Sequence, residues 1–376
     1  MSNRFPAVRL DHRVVGNNEF IINMINNDTS QHEASASITY NETRTIPFLA
    51  KPNDYFLSVA SFALDTSTSL PVWCPSVQLG QNDINKTVYE FRVEYNGQSV
   101  TQYIQYIPED LTAQLPVVPI EKQDITSNYY YINSYQWIMY LFNNALSTAI
   151  DNLNALITLP STAYPYFEFN VNTSLMTFNA PAQYYNSYIS QPINVYVNNA
   201  LSSLISTIMV NKIRILGQKW HRLMILSAFE TKVINSTTYA ISKQESTSIG
   251  LFNPVRAIVF GSSLLPINPA QTTPALIFSS NATIQNTGNN SSSTNTITEF
   301  SVPMANGNTY KNTVNYLPYV WKTIDLFGSQ PLNQIQLSCL WKDRWGNLYP
   351  IQLVSGGCVN ISLVFRRRDF YNLNLE

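Results

Sequence analysis

Charge is scarce in this sequence. Only 12% of its 376 residues are Asp, Glu, Lys or Arg, and they nearly cancel to a net charge of −1, whereas an ordinary soluble domain carries about a quarter. Without a positive excess a chain cannot neutralise long stretches of phosphate backbone, so bulk nucleic-acid packaging is excluded as its main role. Cysteine is nearly missing too. Cys74, Cys339 and Cys358 are odd in number and far apart, which rules out a disulfide framework and points to folding in a reducing compartment. His12, His32 and His221 stand at no metal-ligand spacing from Cys or carboxylate, so no metal is expected. No apolar run reaches the roughly 18 residues of a membrane span, and the N-terminus lacks the apolar core of a signal peptide. The phosphate-cradling glycine patterns and the Gly-x-Ser-x-Gly elbow are absent, and no paired acidic motif supports glycoside cleavage. Neither catalytic residues nor a cofactor are therefore expected.

Polarity comes instead from amides, hydroxyls and 23 tyrosines, beside a hydrophobic fraction of 45%. Uncharged amides and phenols lose less on desolvation than Lys or Glu, so such a surface suits a protein packed against copies of itself.

The clearest local pattern lies at the C-terminal end. Ile335, Leu337, Cys339 and Trp341 alternate with polar or smaller positions, as do Val359, Ile361, Leu363 and Phe365; both runs predict strands. Turn signals at Asp343 to Asn347 and at Ser355-Gly356-Gly357 enclose a third strand, Leu348 to Val354, so the expectation is a three-stranded meander. Asp343 itself is expected to cap its turn. Further strands are predicted at Tyr55 to Leu64 and at Val255 to Ser262, and a hairpin turns at Asn96-Gly97. One helix is expected from Ser134 to Ile157, where Ile138, Phe142, Ala145, Ala149, Leu153 and Leu156 recur at three and four residues. Residues 279–297 are polar and low in complexity, which predicts a long exposed loop.

These patterns predict an all-β architecture, a β-sandwich with an inserted or second β domain and one amphipathic helix. The expected divisions are an extended N-terminal arm over 1–40, a first part of the sandwich over 41–120, an insertion or second β domain over 121–222, and the remaining strands over 223–376. The expected core includes Val59, Phe62, Val93, Ile258, Phe260, Leu337, Leu353 and Leu363. Arg366, Arg367 and Arg368 leave the last strand as a short basic run, too short to be a nucleic-acid arm by itself.

Tyr55 to Val59, the hairpin with Tyr106 to Asp110, and above all the segments IDLFGSQPL, LWKDRWGNLYPIQL and LVFRRRDF resemble capsid proteins of small non-tailed eukaryotic viruses. The resemblance is to the minor capsid, or penton, proteins of virophages and polinton-like viruses. It implies a jelly-roll subunit of an icosahedral virion, self-associating as a homopentamer beside other capsid proteins and assembled in the host cytoplasm or nucleus, with Arg366, Arg367 and Arg368 as the candidate residues for assembly or weak genome contacts. A double-barrel major capsid protein and a host- or carbohydrate-binding β module are the alternatives.

Overall fold

The computed structural model describes residues 17–27, 36–66, 70–120, 123–125, 128–161, 163–226, 228–268, 270–272, 276–278, 283–285, 292–302, 313–316, 322–344 and 346–368. They fall into two compact units. In chain order the first contributes β1 (Asn17–Ile25), β2 (Ala36–Ser37), β3 (Thr39–Thr43) and β4 (Tyr55–Asp65). The second follows with β5 (Lys86–Tyr95), β6 (Gln98–Gln105), helix α1 (Tyr135–Leu156), β7 (Tyr166–Asn170), β8 (Leu175–Pro181), β9 (Asn194–Asn198), β10 (Val210–Ile215), β11 (Gln218–Leu223), β12 (Thr231–Ile234) and β13 (Thr237–Lys243). The first unit then resumes with β14 (Ala257–Gly261), β15 (Ala270–Thr272), β16 (Leu276–Phe278), β17 (Thr283–Gln285), β18 (Ser292–Thr294), β19 (Thr296–Ser301), β20 (Thr313–Tyr316), β21 (Ile324–Asp325), β22 (Gln334–Lys342), β23 (Leu348–Pro350), β24 (Gln352–Leu353) and β25 (Cys358–Arg367).

The first unit is a jelly roll. One sheet runs β1-β25-β4-β20 and the other carries β3, β22, β14 and β19. Numbered by position among these strands, the sheets read 1-8-3-6 and 2-7-4-5, the doubled Greek key of that fold. Alternation sets which side is buried. In β22 every second residue from Ile335 to Trp341 is inside, and in β25 Val359, Ile361, Leu363 and Phe365 are. Phe62 on β4 joins the sheets, with its ring 5.3 Å from Phe260 and 4.5 Å from Phe300. All eight residues expected in the core are buried.

Three expectations for this unit are corrected. The N-terminal arm is not wholly an arm: β1 is laddered to β25 from Asn17↔Arg366 to Ile25↔Cys358, because Ile22 is buried with Phe20 and Met24 half-buried beside it. Residues 1–16 and 28–35 of the expected arm lie outside the described residues. The C-terminal meander also comes apart. β22 pairs with β23, but β24 pairs with β2, and β25 crosses to the other sheet between β1 and β4. Gly356, at φ 80°, sits in the break where the chain changes sheets. The span 279–297 is likewise more than a loop, since β15 pairs with β18 and β16 with β17 as nested short ladders.

Among the described residues the second unit is one contiguous insertion, Leu70–Arg256. Its sheets run β10-β11-β9-β5-β6 and β12-β13-β8-β7. This departs from the expected divisions at 120 and 222. The hairpin β5–β6 belongs to the insertion because β5 pairs with β9, as in Phe91↔Val197, and Leu223 to Arg256 belongs there because β13 pairs with β8. Helix α1 starts at Ser134, whose hydroxyl accepts from Gln136 N at 3.2 Å, and packs on β5, β6 and β7. Phe142 is its hub, 6.0 Å from Trp73, 6.3 Å from Phe91 and 5.9 Å from Phe167. Asn143 bridges the helix to β7: its amide nitrogen donates to Phe167 O and its oxygen accepts from Phe167 N. Such a bridge fixes the helix to the strand edge beneath it.

Candidate functional site

The sequence nominated the end of β25. There Arg366 and Arg367 lie opposite Phe56 and Tyr55 of β4 in the register, and all three arginines are half-buried. Arg368 is held inside its unit. Its Nη2 pairs with Asp325 Oδ1 at 2.8 Å and donates to Leu326 O at 3.4 Å, while its guanidinium lies 4.4 Å over the Phe56 ring. A pair with both side chains this exposed contributes only about 0–1 kcal/mol, but it takes Asp325 and Arg368 out of any free charge cluster. The structure thus brings the triplet together as the end of a central strand, not as a projecting basic tail.

The other residues singled out by sequence are structural. Asp343 is buried, with Oδ1 accepting from Asn347 N and Oδ2 from Asn347 Nδ2 and the Tyr349 hydroxyl, the turn-capping role expected of it. His12 and His32 lie outside the described residues. His221 is buried in β11, 3.4 Å from Asn199 Oδ1, and burial together with the nearby Lys219 and Lys212 holds its pKa below the usual imidazole value. Among the described residues no group of His, Cys, Asp and Glu could hold a metal ion, and no helix is long and apolar enough to cross a membrane.

Sequence reasoning passed over the hairpin β10–β11. Lys212, Arg214 and Lys219 stand exposed on it, and the register places Lys212 opposite His221 and Arg214 opposite Lys219. Paired residues and residues two apart share a face of a strand ladder, so all four lie on one side. The signal available was Gly217 between two short runs that carry only positive charges.

A clustered tyrosine side chain set fixes the segment before α1. The hydroxyl of Tyr106 donates to Tyr129 O, that of Tyr129 to Asn85 Oδ1 at 2.9 Å, and that of Tyr130 to Ile84 O at 3.0 Å. Burial, with Tyr129 and the carboxylates of Asp124 and Asp83, pushes the Tyr130 phenol up to about 12. Burial likewise raises Tyr106, so Tyr106 and Tyr130 stay protonated hydrogen-bond donors and the cluster is scaffold.

With no metal-binding group of side chains among the described residues, what the chain offers is surface and shape, and relatives decide what they serve. The family model described as Sputnik minor capsid protein V18/19 matches residues 20–367. A structural protein V19 of the Sputnik virophage is 24% identical over 218 residues, covering 54% of this chain and 94% of that one. An uncharacterised protein V18 of the same virophage is 30% identical over 118 residues, covering 30% of this chain and 70% of that one. Among solved structures, a chain of the Sputnik virophage seen by cryo-EM shares the fold at a TM-score of 0.77 and 23% identity, over 95% of this chain and 99% of that one. The mavirus penton protein shares it at 0.63 and 13%, over 93% and 99%. The chain belongs to the Sputnik minor capsid protein V18/19 family, and is a structural component of a virion capsid, not an enzyme.

Proposed function

We propose that the chain is the vertex capsomer of its virion, a closed ring of five copies. The observation that carries this reading is the extent of the shared fold: jelly roll and insertion together match the mavirus penton protein. Placement of the second sandwich inside the first, between β4 and β14, favours a penton over two rolls in tandem. A sandwich leaves edge strands that must be covered or paired, and lateral neighbours in a ring cover them. Arg366 and Arg367, at the strand end, are assigned a supporting contact with a neighbouring capsid protein or with packaged genome, while Arg368 serves the fold. Assembly takes place in the host cytoplasm or nucleus. The test is native mass spectrometry of the purified chain, together with incorporation into particles. Five copies are expected; a trimer or a monomer in both assays overturns the reading.

A further inference from the structure

The insertion separates its charges. Between Glu168 and Glu230 the sequence has no Asp or Glu, yet it holds Lys212, Arg214, Lys219 and Arg222; between Arg92 and Lys122 it has no Lys or Arg, yet it holds Glu94, Glu109, Asp110 and Glu121. In a chain with so little charge, this places the two signs on opposite sides of one sheet. The cations sit on β10–β11 at one edge of β10-β11-β9-β5-β6, and the acids Glu109 and Asp110 follow β6 at the other. Glu94 pairs with Arg92 inside β5, but among the described residues neither the hairpin cations nor Glu109 and Asp110 have a partner of opposite charge. Lys212, Arg214 and Lys219 have no hydrogen-bond or ion-pair partner among the described residues. Glu109 accepts from Asn133 N, and Asp110 from Thr112 and Asn128, all neutral donors. Nearby Asp83 accepts from Gln105 and Asn85, and Lys86 is turned over the Tyr103 ring, 4.8 Å from its centroid.

Apolar surface accompanies both groups. Leu216, at the tip of the cationic hairpin, is 94% exposed. On the acidic side Leu111, Leu115, Val117 and Ile120 are exposed along a segment whose prolines, Pro116 and Pro119, keep it from pairing as a regular strand. The two surfaces also share a level. The registers Trp220↔Asn198, Phe91↔Val197 and Lys86↔Gln105 put the Leu216-Gly217 turn and the end of β6 at the same end of the sheet.

We propose that these surfaces form a head-to-tail contact between copies of this chain, the cationic hairpin face of one copy docking on the acidic, apolar segment after β6 of the next. The occupant is a second copy because the two surfaces are complementary in charge and both apolar in part. They differ in kind, so a two-fold dimer leaves one of each unused, whereas rotation about a closed ring uses both. Their shared level allows the ring to close; surfaces at different heights along the axis would generate a helical filament. The inference rests on the ring-forming reading above and names the contact the insertion adds to it.

The experiment uses the full chain. Lys212→Glu, Arg214→Glu and Lys219→Glu together, and separately Glu109→Lys with Asp110→Lys, are each expected to weaken ring formation by about tenfold or more. Native mass spectrometry and sedimentation read the effect, with circular dichroism reporting that each variant is folded. A chain carrying both reversals is expected to recover the ring. Should a reversed chain fail to fold, the wild type still decides, because its ring is expected to loosen between about 0.05 and about 1 M salt. Rings that form equally in folded reversed chains, that ignore salt, or that the combined reversal leaves unrestored overturn the contact while the capsomer reading stands. A wild-type chain that stays monomeric overturns both.

Discussion

The two units are built from opposite kinds of sequence neighbourhood. The jelly roll is closed by the ends of the chain: β25 lies between β1 and β4, so its ladder joins Asn17 to Arg366 and Leu57 to Phe365. The insertion closes within one continuous stretch, and its core is an aromatic cluster gathered round α1. Non-local pairing costs loop-closure entropy before any contact repays it. The roll therefore depends on pairing strands more than 300 residues apart, while the insertion pairs only within its own stretch.

The hardest way to break that contrast is at Phe142. Phe142→Ala removes the ring that touches Trp73, Phe91, Phe167 and Phe252, and is expected to cost about 3–5 kcal/mol in denaturant unfolding; a loss below about 1 kcal/mol would mean the aromatic hub does not hold the insertion. In the roll, Leu363→Ala in the middle of β25 is expected to cost about 2–5 kcal/mol. Removal of residues 1–27 should lower the same transition, since it strips β1 from that strand; an unchanged melting temperature would return the segment to the status of an arm. Ser134→Ala deletes the cap of α1 and is expected to cost about 1 kcal/mol, with Ser134→Asp restoring it.

The smallest effect sharpens the electrostatic side. His221 titrates below the usual value of 6.5 in the folded chain, so below that pH the unfolded chain binds more protons. Stability then rises with pH across the window between the folded pKa and about 6.5, and is lost as pH falls through it. Comparing the melting temperature of wild type and His221→Gln at several pH values should show a shallower acid-side slope in the variant. Identical slopes would remove His221 from the account.

Much of the roll was legible because burial there follows period two: Ile335 to Trp341 and Val359 to Phe365 can be read straight from the letters. Helix α1 was legible to within a residue at each end for the same reason at period 3.6. What local pattern cannot carry is partnership. Nothing in Val88 to Tyr95 announces that β5 lies beside β9, about a hundred residues on, so the insertion's boundaries were misplaced. Turn chemistry explains another gap. Asn96-Gly97 is a hairpin signal in any sequence, but the corresponding turn of β10–β11 puts Leu216 at φ 50° before Gly217 at φ 80°, and leucine is not a residue that advertises a left-handed backbone. The charge surfaces were missed with it, since they emerge only when the two edges of one sheet are known.

Leu216 is badly chosen for a solitary molecule. Its backbone conformation costs a branched, non-glycine residue about 1 kcal/mol, and its side chain is left almost entirely in water. Asparagine or glycine there would relieve the backbone and the hydration penalty together. Leu216→Asn should accordingly give a subunit that melts higher yet assembles less well, a separation of folding stability from adhesive strength at a single position. In the proposed contact between copies, burial of this side chain against a neighbour would offset both costs, so the strain at the tip would be relieved on assembly and not on folding.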